Sequence, residues 1–285
     1  MSKGIGRRSM IHRTVVLCLV VLSTATGFSR ADYWHGDFTD GSALTLSDGA
    51  VVYEDADTGS ASVDMLPAGT EVEITGSGGD ILLENGTATY WYSVSVPRER
   101  GVCEGWMTGT SLALAFQPLG GDTLFLYGIT GYDPGTCSFS SAARVLVSGR
   151  MVSEIVFSPP DGGFGQVPYS YSVRSAPAVP EGLRGLRDIV RLSFIYEACG
   201  FLNRDILLCW TGDELIMGPS ADSQFEASEY RFVQSFVLPA DSSGRPEEVR
   251  VLTEVSQWEE GTEDYVLTDT YSTVHAWDGS GFIEH

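Results

Sequence analysis

The chain has 285 residues, and 38 acidic against 17 basic side chains give it a formal charge of −21. That field repels nucleic acid and anionic lipid surfaces, while 43% hydrophobic content supports packed cores and excludes a wholly disordered chain. The sole lysine is Lys3, so Schiff-base, Ser-Lys and P-loop lysine chemistry are excluded from everything downstream.

Residues 1–31 read as a secretory signal peptide. Lys3, Arg7, Arg8 and Arg13 form an acid-free basic region, and Val15 to Leu22 is an apolar core too short to span a bilayer. Ser29-Arg30-Ala31 then supplies small residues at the −3 and −1 positions of a cleavage site. Arg7-Arg8 lacks the flanks of a twin-arginine signal. Cys18 sits inside the apolar core without preceding small residues, which leaves a lipid anchor open but poorly supported. No later segment is long and apolar enough to cross a membrane, so the processed protein is expected to be exported, periplasmic or extracellular. Cleavage removes five basic residues and no acid, moving the formal charge to about −26. Such a surface attracts cationic partners and divalent ions, though solubility alone accounts for it.

Residues 32–43 form an aromatic and acidic lead-in. His35, near Asp37 and Asp40, is a weak metal candidate beside the plainer reading of an exposed terminus. From 44 to 115 the pattern is short strands and turns. Ala50–Tyr53 follows an Asp-Gly turn. TEVEIT (70–75) alternates, with Val72 and Ile74 on one face and the glutamates on the other. Asn85-Gly86 is the strongest hairpin signal, because a type I′ turn needs positive φ at both central residues. It joins ILLE to TATYWYSV, where Val94 and Val96 continue the inward face until Pro97. The segment 97–105 reads as a loop leading to Trp106.

Three features recur here in fixed order: Leu66, Gly69 and Val72 around a Pro-Ala-Gly turn, then Trp91-Tyr92-x-Val94, then Gly105-Trp106 and a closing Leu112. In this order, residues 44–115 resemble a bacterial SH3-like (SH3b) domain. Two departures stand out. Val51-Val52-Tyr53 replaces the usual asparagine-valine-arginine start, and insertions lie at 76–89 and 97–104. The resemblance implies a small barrel and a module that binds cell-wall peptides or serves as an envelope adaptor. Trp91 and Trp106 can fill the barrel core or stack on a peptide or sugar. Tyr53 and Tyr92 are the better groove candidates, because a tyrosine packs its ring and keeps its hydroxyl wet.

Residues 116–285 are again strand-rich, with apolar or alternating runs at 124–129, 143–148, 151–157, 189–196, 205–210, 214–218, 232–238, 248–255 and 265–277 separated by Gly, Pro, Asp and Ser turns. Segment 180–188 is either a single helical turn or a loop. The fold class is therefore all-β: an N-terminal SH3-like small barrel followed by a larger antiparallel β-domain. CWTGDELIMG (209–218) and AWDGSGFIEH (276–285) each place a Trp before a Gly turn and an apolar return. This weakly resembles FG-GAP-type propeller repeats. At ~40 residues per blade the region is short for a full propeller, so a partial or atypical propeller and a sandwich both stay open.

Cys103, Cys137, Cys199 and Cys209 remain after processing. An even count in an exported protein suggests two disulfides, with three pairings open. Cys103–Cys137 and Cys199–Cys209 are favoured because both close short loops, although a simple hairpin turn at 200–204 would not set the second pair directly opposite. A zinc site lacks a CxxC pair and a nearby His.

No cofactor is expected. The sequence has no G-x-S-x-G elbow, P-loop or H-E-x-x-H. His275 is the one strand-like histidine, and a Cys-His hydrolase would have to pair it with a cysteine. The loops at Asp161 and Asp241 are weak calcium candidates beside ordinary turns. Arg184, Arg187 and Arg191 form the one basic cluster, paired with nearby acids or marking a docking spot for an acidic partner. The leading expectation is an exported, non-catalytic binding or scaffold protein of the bacterial cell envelope, with peptidoglycan or an envelope protein as partner. The alternative is a cell-wall-processing hydrolase with its centre in 116–285.

Overall fold

The structure, a computed structural model, describes residues 38, 41–83, 87–99, 101–133, 135–136, 138–160, 171–196 and 200–285. The signal peptide, His35, the Asn85-Gly86 turn, the Asp161 loop, Cys137 and Cys199 lie outside the described residues. Among those described there is no α-helix, and the chain is built from antiparallel sheets, so the all-β class holds. No helix among them is long and apolar enough to cross a membrane.

The first sheet contains β1 (Gly41–Leu44), β2 (Ala50–Tyr53), β3 (Ser62–Leu66), β4 (Glu71–Leu82), β5 (Ala88–Arg98) and β6 (Gly101–Thr108), in the order β1-β4-β5-β6-β2-β3. Alternation builds its inner face. Val72 and Ile74 of β4 and Tyr92, Val94 and Val96 of β5 are buried, with Glu71 and Glu73 outside. All six strands contribute to one cluster that also holds Val52, Leu66, Met107 and Leu112. One sheet that encloses its own core must curl around it. The edge strands β1 and β3 do not pair, however, so the sheet stays open and does not close into the expected barrel. The Pro67-Ala68-Gly69 turn forms as the sequence suggests, with the Thr70 amide donating to Pro67 O and Gly69 at φ +73°.

Segment 97–105, expected as a loop, is largely strand, with Pro97 and Arg98 in β5 and 101–105 in β6. β5 and β6 stay paired out to Arg98 and Gly101. β4 pairs no further than Ser95, so Pro97 sits where no amide is needed on that side.

A second sheet, in the order β10-β9-β8-β7, comprises β7 (Ala115–Pro118), β8 (Thr123–Asp133), β9 (Ser138–Val147) and β10 (Arg150–Phe157). The third is an eight-stranded meander in chain order. It runs through β11 (Tyr171–Ala178), β12 (Asp188–Tyr196), β13 (Asn203–Trp210), β14 (Leu215–Glu226), β15 (Tyr230–Val237), β16 (Glu248–Glu259), β17 (Asp264–Trp277) and β18 (Phe282–Glu284). Of the two architectures left open for 116–285, this is the sandwich. Phe125, Tyr127 and Val145 of the second sheet pack against Val190, Phe194, Leu208 and Trp210 of the third. The opposite face of β12 and β13 is also buried, with Ile189, Leu207 and Cys209 meeting Val249 and Trp277. Burial on both faces explains why IVRLSFIY and DILLCW read as continuous apolar runs. Segment 180–188 is a chain of turns rather than a helix.

Leu46, Ala68 and Ala113 meet Leu126 and Leu146 where the first and second sheets abut, and Arg144 donates across this joint to Leu46 O at 3.0 Å. Gly128 fits there because Leu46 Cδ2 lies 2.5 Å from where a Cβ would stand.

Candidate functional site

Strand parity sorts the aromatic candidates. Tyr92 shares its face with Val94 and Val96 and is 4% exposed in the core, with the Phe38 ring edge-on at 5.1 Å. It therefore packs as core and does not line a groove with the others. Trp91 points the opposite way, with Ser93 and Ser95. In register, Ser93 opposes Trp106 and Tyr53 opposes Trp106, so Tyr53, Trp91 and Trp106 gather on the outer face of the curled sheet. The Tyr53 and Trp91 rings meet edge-to-face, with centroids 5.5 Å apart at 88°.

Two glycines create this cluster. β4 skips register between Ser77 and Asp80, a bulge that lays Gly78 against both tryptophan side chains. A Cβ there would stand 2.9 Å from Trp106 Cζ3 and 3.1 Å from Trp91 Cβ. Gly105 lets β6 cross β2, with Tyr53 O only 2.4 Å from its absent Cβ. Trp91 is consequently 3% exposed although it lies on the outer face. Tyr53 and Trp106 remain half-buried. The exposed run Glu54-Asp55-Ala56-Asp57 follows Tyr53 directly and gives the cluster an acidic margin. The arrangement can stack on a flat apolar or sugar face, and it favours a cationic group over an anionic one.

No protein-family model, curated protein or solved structure matches the chain.

In the same sheet, Arg98 Nε donates to Asp64 Oδ2 at 2.9 Å, and the Met65 amide donates to Asp64 Oδ1 at 2.7 Å. Desolvation, the largest single influence, raises the Asp64 pKa, but the Arg98 bond, the Met65 amide and the guanidinium charge together outweigh it and hold the carboxyl below its ordinary value of 3.8. A depressed folded-state pKa means stability that is complete above the ordinary value and lost as pH falls through the folded one. The stability difference between the native protein and Asp64→Asn should therefore be constant above about pH 4 and shrink towards zero in more acid solution. Urea melts of both proteins across that range test this, and a difference that grew on acidification would contradict the ion-pair assignment.

Both cysteines of the disulfide expectation that fall within the described residues, Cys103 and Cys209, are free thiols. Cys209 opposes Ile189 near the far end of β13 from its start at Asn203, and is enclosed in apolar packing. Burial pushes its pKa up to about 12. Cys103 is raised too, by burial and then by the Asp64 charge. A nucleophilic cysteine needs the opposite shift. Burial lowers the His275 pKa, partly offset by Glu284 across the β17–β18 pair. Among the described residues no three His, Cys, Asp or Glu side chains converge as metal ligands. The Asp241 loop is a turn whose carboxylate accepts the Leu238 amide at 2.7 Å.

Two of the three clustered arginines pair with acids. Arg184 pairs with Glu247 at 3.2 Å and Arg191 with Asp205 at 3.7 Å, while Arg187 lies against Gly212. The Arg184–Glu247 pair sits in a shallow concavity with Pro180, Leu183 and Pro246.

Proposed function

We propose that the protein is an exported, non-catalytic binding or scaffold module of the bacterial cell envelope, taking a cell-wall peptide or glycan, or a protein partner, on its N-terminal SH3-like sheet. The observation that carries this reading is the outer-face cluster of Tyr53, Trp91 and Trp106. Trp91 is its buried floor, and the half-buried rings of Tyr53 and Trp106 are the contact surface. Tyr53 and Trp106, unlike the buried Tyr92 and Trp91, are only half-buried, and partial exposure suits stacking. The signal-peptide pattern and the order of the Leu-Gly-Val, Trp-Tyr and Gly-Trp elements support the envelope assignment.

The test is co-sedimentation with purified peptidoglycan, with release of soluble fragments measured in the same tubes. The native protein should pellet without releasing fragments, and Tyr53→Ala/Trp106→Ala should lose at least about tenfold in affinity while its cooperative urea unfolding transition is retained. Fragment release by the native protein would overturn the reading in favour of a hydrolase. Undiminished pelleting of the double variant would remove the cluster from the site.

A further inference from the structure

The third sheet ends in an unusual edge. β18 covers only His275 to Trp277 of β17, and the His285 amide adds one bond to Val274 O at 2.9 Å. Among the described residues nothing pairs with the outer side of β17 from 264 to 273. Because Val274 O faces outward, alternation turns Ser272 and Thr270 outward as well. The register then skips Thr268, passing from the Val255–Asp269 pair to Ser256–Leu267, so Leu267 and Tyr265 also face out. Two of these amides are held by neighbouring carboxylates: Tyr265 N–H donates to Asp264 Oδ1 at 2.7 Å and Thr270 N–H to Asp269 Oδ1 at 2.8 Å. Val266, Leu267 and Tyr271 on the same stretch are exposed. The sequence around it, 259–274, contains Glu259, Glu260, Glu263, Asp264 and Asp269 and no Lys or Arg.

We propose that this edge of β17 is a docking site for an extended, lysine- or arginine-rich segment of a partner polypeptide, which adds to the sheet as a ninth strand. An unpaired edge of this length offers main-chain donors and acceptors in strand register. Charge complementarity selects the occupant. A second copy would set this acidic edge against itself within a chain of net charge −21, and like charges placed opposite one another destabilise a pair. A cationic strand meets the carboxylates instead. Asp264 and Asp269 satisfy the outward amides while the edge is empty, then release them to the incoming carbonyls and turn to its basic side chains.

The experiment is amide hydrogen exchange on the full chain with a ten-residue alternating Lys-Thr peptide, and with its Glu-Thr counterpart as control. The Lys-Thr peptide should slow exchange at Tyr265, Leu267, Thr270 and Ser272 by about tenfold or more, and the Glu-Thr peptide should not. Thr270→Pro, which removes an outward amide at an edge, should abolish the protection. Should that variant fail to fold, Asp264→Asn/Asp269→Asn should still weaken binding about tenfold. Three results would overturn the proposal: Lys-Thr binding without protection of these amides, equal protection by the Glu-Thr peptide, or protection without peptide in a protein that sediments as a dimer.

Discussion

Gly105→Ala should lower stability by about 3 kcal/mol and disturb the aromatic cluster at the same time. The cost comes from backbone, which cannot step aside. A Cβ at 105 would stand 2.4 Å from Tyr53 O and 2.6 Å from Val52 Cγ1, at the point where β6 crosses β2. That crossing carries the single register pair between these strands, Tyr53 with Trp106. Pushing β6 away from β2 therefore separates the two rings that the proposed site presents. Gly79→Ala is the control, because nothing lies within 4 Å of its Cβ position and its φ is not positive. It should change stability by no more than about 0.5 kcal/mol. Urea titration gives the stability difference, and near-ultraviolet circular dichroism reports the packing of Tyr53 and Trp106. An unchanged midpoint for Gly105→Ala would mean that β6 relaxes away from β2 without cost, and the crossing would then have no hold on the site.

What the sequence reveals and what it hides divide along physical lines. Alternation is local, so Val72, Ile74, Val94 and Val96 can be placed before any coordinates are known, and the same parity puts Tyr92 with them. The burial of Trp91 is different in kind. It depends on Gly78, delivered by a bulge in another strand, and no periodicity in 71–82 announces a skipped register. The Tyr53–Trp106 pairing joins residues 53 apart in the chain, and only the Gly105 crossing makes it possible. Segment 97–105 hides its strand character behind Pro97 and the charged run Arg98-Glu99-Arg100, which obscure the alternation.

β11 hides for a related reason. Its sequence, YSVRSAPA, has little apolar content and contains Pro177, yet it pairs with β12 along its whole length because an edge strand needs partners on one side only. The expected barrel closure fails on the same kind of information. Six strands with an inward face can curl, but whether β1 meets β3 is decided by twist and loop length, which the residue pattern does not encode.

The two Trp-Gly segments show how a local similarity can leave the architecture open. CWTGDELIMG and AWDGSGFIEH do form similar hairpins. Thr211 N–H bonds to Glu214 O and Asp278 N–H to Gly281 O, and the tryptophans oppose Leu215 and Phe282 across them. The hairpins are not propeller blades, because they lie in one continuous meander and their indoles serve different cores. Trp210 fills the space between the second and third sheets, whereas Trp277 lies in the cluster on the other side, with its Nε1 donating to Arg184 O at 2.9 Å.

Trp210→Ala should accordingly be among the most damaging single changes in the chain, costing about 4 kcal/mol. Trp210 is one of the largest fully buried side chains and shares its cluster with Phe125, Tyr127, Phe194 and Leu208 from both sheets. Its removal opens a void that close-packed sheets cannot fill by collapse, since the β12–β13 and β13–β14 ladders fix the spacing around it. Trp210→Phe should recover more than half of that loss by refilling most of the volume. The loss should also reach beyond 116–285. Leu126 and Leu146 lie in the same strands as Phe125 and Val145, so the second sheet that Trp210 packs against is the one that meets Leu46 and Ala113 of the first. Urea unfolding should thus show one transition, shifted equally whether followed by a probe in 44–115 or in 116–285. Two separated transitions, with only the second moved by Trp210→Ala, would mean that the Leu46 joint does not couple the sheets and that the N-terminal sheet carries its aromatic cluster independently.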